Sequence, residues 1–169
     1  IVASGENSSK PHAVPTDRKI QRQDIITIDM GCKINGYCSD MTRTIFVGEV
    51  PQNMKEVYDL VLKNQEQALE DIHDGANTKQ ISKMVDNDFR LHNYYLIHAL
   101  GHVVGLDIHE SPVLGINSET ILKENMVVTD EPGIYIPGQF GVRIEDTVLV
   151  NKATCEPLTK SPKKYVIIK

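Results

Sequence analysis

The dipeptide Asn35-Gly36 divides residues 25–47, IITIDMGCKINGYCSDMTRTIFV, into two runs of strand character. Asn-Gly between β-rich segments is the strongest short-range hairpin signal, because a type I′ turn needs positive φ at both central residues. With those two residues as the whole turn, Ile34 faces Tyr37 and Asp29 comes opposite Thr42. Asp40 then lies two residues nearer the turn on the partner strand. Side chains alternate faces with period two, so Asp29 and Asp40 share a face as diagonal neighbours. Two carboxylates aimed at one point repel each other and resist desolvation unless a cation or a shared proton compensates. The spacing therefore predicts half of a metal site.

A chain of 169 residues can bury one real core. No linker, low-complexity tract or basic run divides it, so 1–169 reads as one domain. With 40% hydrophobic and 24% charged residues it falls in the soluble globular class. The net charge of -5 and the lack of a dense basic stretch argue against a nucleic-acid partner. No apolar run approaches the ~20 residues that span a bilayer, so no membrane partner is expected. Three cysteines, Cys32, Cys38 and Cys155, make an odd count without a CxxC pair. They read as reduced, buried thiols rather than a disulfide framework or a zinc site. No signal peptide is visible, and a cytoplasmic location is expected. The first residue is Ile1 rather than Met, so the sequence is expected to start inside a longer gene product.

In chain order, IVAS reads as a short strand and GENSSKPHAVPTDRK as a loop, with His12 inside it. After the hairpin, Pro51 suits a helix start. Met54, Val57, Tyr58, Val61, Leu62, Ala68, Leu69 and Ile72 then recur at helical spacing, about five turns, until Asp-Gly-Ala at 74–76. Asn77 with Gln80 resembles a capping arrangement, and Ile81, Met84, Val85 and Phe89 define the face of a second helix. His73 and His92 fall near helix ends as solvated or capping residues. The segment YYLIHALGHVVGLDIHESP places His98, His102 and His109 within twelve residues, an unusual density of the commonest transition-metal ligand. In the last third, NMVVTDEPGIYI and FGVRIEDTVLVN read as two strands joined at Pro137-Gly138. Each carries one carboxylate in an apolar setting, Glu131 and Glu145, while Asp130 and Asp146 point the other way by alternation. KKYVIIK reads as a final strand. A strand–turn–strand unit bearing two carboxylates thus occurs twice, a faint internal repeat.

The candidates for one site are Asp29, Asp40, His102, Glu131 and Glu145. Four carboxylates carry about -4 at neutral pH from their reference values, which two divalent cations would balance. One imidazole with four carboxylates and no thiolate suits Mn²⁺, Co²⁺ or Zn²⁺ in a reactive rather than a structural role. Two such ions would activate a shared water and polarise a carbonyl. The chemistry indicated is hydrolysis of an acyl bond.

The motifs ASGENSSKPHAVP, IDMGCKINGYCSDMTRT, HALGHVVGLDIHE, TDEPGIY and VRIEDTVLV, in this order and over nearly the whole chain, resemble the pita-bread metallopeptidases. Within that family they resemble the Xaa-Pro aminopeptidase and Xaa-Pro dipeptidase (prolidase) branch. The resemblance implies an α+β pita-bread fold, a mostly antiparallel curved sheet with helices on its outer face. It implies that Asp29 chelates one metal, that Asp40 and Glu145 bridge two, and that His102 and Glu131 bind the other. Glu131 is implied as proton acceptor, His12, His98 and His109 as catalytic and substrate-facing histidines, and Arg143 as a substrate-side residue near the carboxylates. It also implies Mn²⁺ as the metal, a peptide or dipeptide with proline second as the substrate, and a homodimer. Methionine aminopeptidase is the competing activity within the fold, and a metal-free peptide-binding module is the competing class. Family chains carry an N-terminal domain and first catalytic-domain helices that this sequence lacks, so an uncovered apolar sheet face is expected. Lys10 and Asp130 stand where more apolar residues are expected.

Overall fold

In the computed structural model, which describes residues 1–169, the first hairpin forms as its turn dictates. Asn35 and Gly36 take φ of 52° and 90°. On either side run β3 (Lys33–Ile34) and β4 (Tyr37–Cys38), with Ile34 facing Tyr37. The same register continues, after a break, into β2 (Ile25–Met30) and β5 (Met41–Val47), where Asp29 faces Thr42. The break falls at Gly31, where a Cβ would lie 2.0 Å from the Ser39 carbonyl oxygen, so only glycine allows the strands this close. β1 (Val2–Ser4) pairs antiparallel with β2, and a 3-10 turn (Gly5–Ser9) follows it inside the expected loop. Lys10 ends that turn exposed, where its polarity is at ease.

Two helices follow, as the spacing predicts. α1 (Gln52–Asp71) buries Val57, Tyr58, Val61 and Ala68. α2 (Thr78–Leu91) is capped by Asn77, whose side chain accepts the N–H groups of Lys79 and Gln80. Next come β6 (Gly101–Val103) and β7 (Glu110–Leu114). A second long hairpin then contains β8 (Val127–Asp130), β9 (Gly133–Ile136), β10 (Phe140–Arg143) and β11 (Asp146–Val150), and the chain ends with β12 (Cys155–Pro157) and β13 (Ile167–Ile168). One sheet has the order β1-β2-β5-β13 and another β12-β11-β8-β6-β7. A single cluster of 22 buried apolar residues runs from Val61 and Phe89 of the helices to Phe46, Val128 and Val148 of the sheets, so helices and sheets share one core.

The sequence predicts two unbroken strands for the second hairpin. Each is instead broken at its glutamate. β9 and β10 keep the register of β8 and β11, which sets Glu131 opposite Glu145 in the gap. Pro132 offers no ladder N–H there. The glutamates turn their own N–H groups outward, Glu131 to the Leu100 carbonyl (2.8 Å) and Glu145 to the Thr42 carbonyl (3.1 Å). The second hairpin is thereby attached to β5 and to the segment before β6 at its carboxylates.

Hydroxyls stitch the same junction. Thr44 Oγ1 donates to the Arg143 carbonyl (2.8 Å), Thr147 Oγ1 to the Asp40 carbonyl (2.7 Å) and Thr42 Oγ1 to Glu145 Oε2 (2.6 Å). The expected thiol burial does not hold. All three cysteines are free, but Cys32 is exposed and Cys38 and Cys155 are half-buried. The reason is that β3 and β4 project beyond the core, with Ile34 and Tyr37 exposed at their tip. The tip is tied down by the Cys38 N–H to the Gly105 carbonyl (2.8 Å) and by Lys33 Nζ to the Leu106 carbonyl (2.6 Å).

Asp130 and Asp146 point away from Glu131 and Glu145, as alternation predicts, and face each other across β8 and β11. Asp146 is fully hydrogen-bonded, whereas both oxygens of the wholly buried Asp130 lack a partner. Burial first, and then the Asp146 charge, push the Asp130 carboxyl well above the usual range. Asp130→Val, which removes an unpaired buried polar group at similar volume, should stabilise the fold by about 2 kcal/mol in urea unfolding.

Candidate metal centre

All the side chains singled out from the sequence line one cavity of about 280 Å³: His12, Asp29, Asp40, His98, His102, His109, Glu131, Arg143 and Glu145. The first hairpin supplies Asp29 at the end of β2 and Asp40 just before β5. β6 supplies His102, and the break in the second hairpin supplies Glu131 and Glu145. Gly101 brings His102 in. A Cβ there would lie 2.0 Å from the Thr129 carbonyl oxygen, so β6 reaches this close to β8 only with glycine.

His102 Nε2 lies 3.3 Å from Glu131 Oε1 and 3.7 Å from Asp40 Oδ2. One ligand atom each from Asp40, His102 and Glu145 fall within 4.8 Å of one another. His102 Nδ1 is 3.1 Å from the Val103 carbonyl, which can only accept, so Nδ1 carries a proton and fixes the ring. Glu145 Oε1 is buried with no hydrogen-bond partner. A divalent cation fits this donor set, since it would satisfy the orphaned oxygen and neutralise the converging carboxylates.

Titration behaviour reports the same excess of negative charge. Burial, then repulsion from Asp29 and Glu131, raise Asp40 to about 6. Burial, then Glu131 and Asp40, raise Glu145 well above the usual carboxylate range. Burial also opposes ionisation of Glu131, but the His102 hydrogen bond and the charges of His102 and Arg143 outweigh it and hold Glu131 low. For His102, burial disfavours the cation, yet the Glu131 hydrogen bond, the Val103 carbonyl and the nearby carboxylates raise it overall.

A hydrogen-bonded chain backs the site. Arg143 Nη2 donates to Asp29 Oδ2 (2.6 Å), Nη1 to the Tyr135 hydroxyl (2.8 Å) and Nε to Thr42 Oγ1 (3.2 Å). His98 Nδ1 donates to the Ala99 carbonyl (2.7 Å), leaving Nε2 to accept from the Tyr135 hydroxyl at 3.0 Å. Burial, the largest influence, lowers the His98 pKa and keeps the ring neutral. Both His98 nitrogens are therefore engaged by protein, so His98 cannot hydrogen-bond a substrate without breaking one of these bonds. His12 and His109 stand exposed at the mouth, with the His109 ring 4.4 Å from that of His102.

Tyr135, Thr42 and Thr129 were not picked out from the sequence. Thr129 accepts from the His102 N–H and donates to Glu131 Oε1. Alternation on β5 places Thr42 on the face of Asp40 and is a signal that could have found it. Tyr135 offers none, because its partners are set only by the folded hairpin.

In the metal-free protein, folded Asp40 keeps its proton up to about pH 6, whereas the unfolded chain releases it near 3.8. The folded state thus binds more protons between those values, and stability is lost as pH rises through 6. For Asp40 alone this amounts to about 3 kcal/mol at 1.36 kcal/mol per pKa unit. Denaturant unfolding with chelator present should show a more stable protein at pH 5 than at pH 7.5. Adding Mn²⁺ at pH 7.5 should abolish that deficit.

A model of metallopeptidase family M24 matches residues 1–152. The Xaa-Pro dipeptidase of Pyrococcus furiosus is 45% identical over 168 residues, covering 98% of this chain and 48% of the relative. Among solved structures, the X-Pro aminopeptidase from Thermotoga maritima superposes with a TM-score of 0.96 at 39% identity, over 99% of this chain and 48% of that one. The Xaa-Pro dipeptidase from Bacillus anthracis gives 0.96 at 44% identity, over 99% and 48%. The chain spans about half the length of these relatives. It has the expected pita-bread fold, with mostly antiparallel sheets and two helices. By the family match and the site it builds, this chain belongs to metallopeptidase family M24.

Proposed function

We propose that this protein hydrolyses the bond between an N-terminal residue and proline, as an Xaa-Pro dipeptidase or aminopeptidase dependent on two divalent ions, Mn²⁺ first among them. The observation that carries the reading is the convergence of four carboxylates and one imidazole around the orphaned Glu145 Oε1. The names of its relatives favour the proline-directed activity over that of a methionine aminopeptidase. All five ligand positions are filled, which weighs against a metal-free binding module.

In this reading Asp29, Asp40, His102, Glu131 and Glu145 would hold the ions. Ions held so supply an activated water and a polarised carbonyl. Glu131, held ionised by its cationic surroundings, takes up the proton from the attacking water and returns it to the leaving amine. Arg143 fixes Asp29, and the Tyr135 hydroxyl fixes Arg143 against His98. His12 and His109, exposed at the mouth, contact the peptide. The proposal takes 1–169 as one catalytic domain of a cytoplasmic homodimer, with no nucleic-acid or membrane partner. Free thiols support the reducing compartment, and no helix is long and apolar enough to cross a membrane.

The test is Mn²⁺-supported turnover of Xaa-Pro dipeptides and longer Xaa-Pro peptides. Asp40→Asn should cut kcat/KM by more than the roughly 10–100-fold typical of losing an outer-shell partner of a metal ligand. Unchanged turnover in Asp40→Asn would remove the metal mechanism. Peptide binding without turnover or bound metal would favour the binding module.

A further inference from the structure

On the side of β5 facing away from the cavity, Arg43 is buried at the junction of the two hairpins, and each of its five N–H donors has a partner. Nη1 donates to the Thr42 carbonyl at 2.9 Å and to the Glu145 carbonyl. Nη2 donates to Asp146 Oδ1 at 2.7 Å and to the Ser161 carbonyl at 2.8 Å, and Nε to the Pro162 carbonyl at 3.2 Å. A guanidinium is the one side chain with donors enough for this fork. Its grip on Glu145 is direct. The Glu145 N–H is bonded to the Thr42 carbonyl, and Arg43 takes the Glu145 C=O, so β5 holds both main-chain polar groups of that residue.

Arg43 is in turn held by the C-terminal segment 158–163. Besides Ser161 and Pro162, Thr159 Oγ1 donates to Asp146 Oδ1 (2.5 Å) and Lys163 Nζ lies 3.2 Å from Asp146 Oδ2. Asp146 adjoins Glu145, so this segment braces the Glu145 main chain through both Arg43 and Asp146.

We propose that Arg43, clamped by segment 158–163, is a positioning residue for Glu145, one of the residues that would hold the metal, so that metal affinity depends on the docking of that segment. The inference rests on the metal-site reading above. Outer-shell residues of this kind change metal affinity by roughly 10–100-fold when replaced. A purely structural ion pair would change stability and leave affinity alone.

The test is calorimetric titration of the purified protein with MnCl₂ at 25 °C, with folding followed by circular dichroism. Arg43→Lys, which cannot make the fork, should weaken Mn²⁺ binding about tenfold or more. Lys163→Met, on the segment itself, should weaken it several-fold at unchanged folded content. Val85→Ala, a core cavity in α2 remote from the junction, should lower Tm and leave affinity unchanged. Parent-like affinity in Lys163→Met, or in a folded Arg43→Lys, overturns the proposal, as does an equal loss in Val85→Ala. If Arg43→Lys does not fold, Lys163→Met decides. A parent protein that binds no Mn²⁺ overturns the metal-site reading and the inference together, whereas a parent that binds while the variants match it overturns the inference alone.

Discussion

Four carboxylates converging in one cavity dominate this structure, and their mutual repulsion dictates what surrounds them. Burial first, and then the charge of neighbouring carboxylates, push Asp40 and Glu145 above the usual carboxylate range. Arg143 offsets part of the charge at Asp29, and His102 offsets part at Glu131. His102 also lies 3.7 Å from Asp40 and the Thr42 hydroxyl donates to Glu145 Oε2, but Glu145 Oε1 is left unpartnered. The fold therefore holds a destabilised cluster in place by bonds made elsewhere.

Those bonds lie where the hairpins meet. Each hairpin keeps one register from end to end, yet the first is broken at Gly31 and the second at Glu131 and Glu145. Only alternate facing pairs of an antiparallel ladder exchange hydrogen bonds, and Glu131 and Glu145 face each other as a pair that does not. Their N–H groups point outward and bond to neighbouring segments, so the ligands themselves join the halves. Site and architecture are one set of interactions, which is why the cavity sits at the junction.

Much of this was legible in the sequence, for identifiable reasons. Asn35-Gly36 fixed the register that sets Asp29 opposite Thr42, because turn chemistry and alternation are local. The helices followed from apolar spacing, and Asn77 from capping. Glu131 and Glu145 were found as residues, but the strand breaks at them were not, since apolar periodicity runs straight through. The fully bonded state of His98 depends on Tyr135, thirty-seven residues away in sequence, and no local pattern encodes it. The cysteines of the first hairpin were misjudged because burial depends on where the tip projects, which composition does not tell.

The threonines along the junction have a consequence for how such a chain can vary. Thr42, Thr44 and Thr147 are each buried and each spend a hydroxyl on the opposite half. Valine would match their shape almost atom for atom and suit a strand equally well. It would still strip the carbonyls of Asp40 and Arg143 and the carboxylate of Glu145 of donors. Sequence drift at these positions is thus policed by hydrogen-bonding chemistry rather than by volume or hydrophobicity, so substitutions that look mildest by size are the ones that would part the two halves.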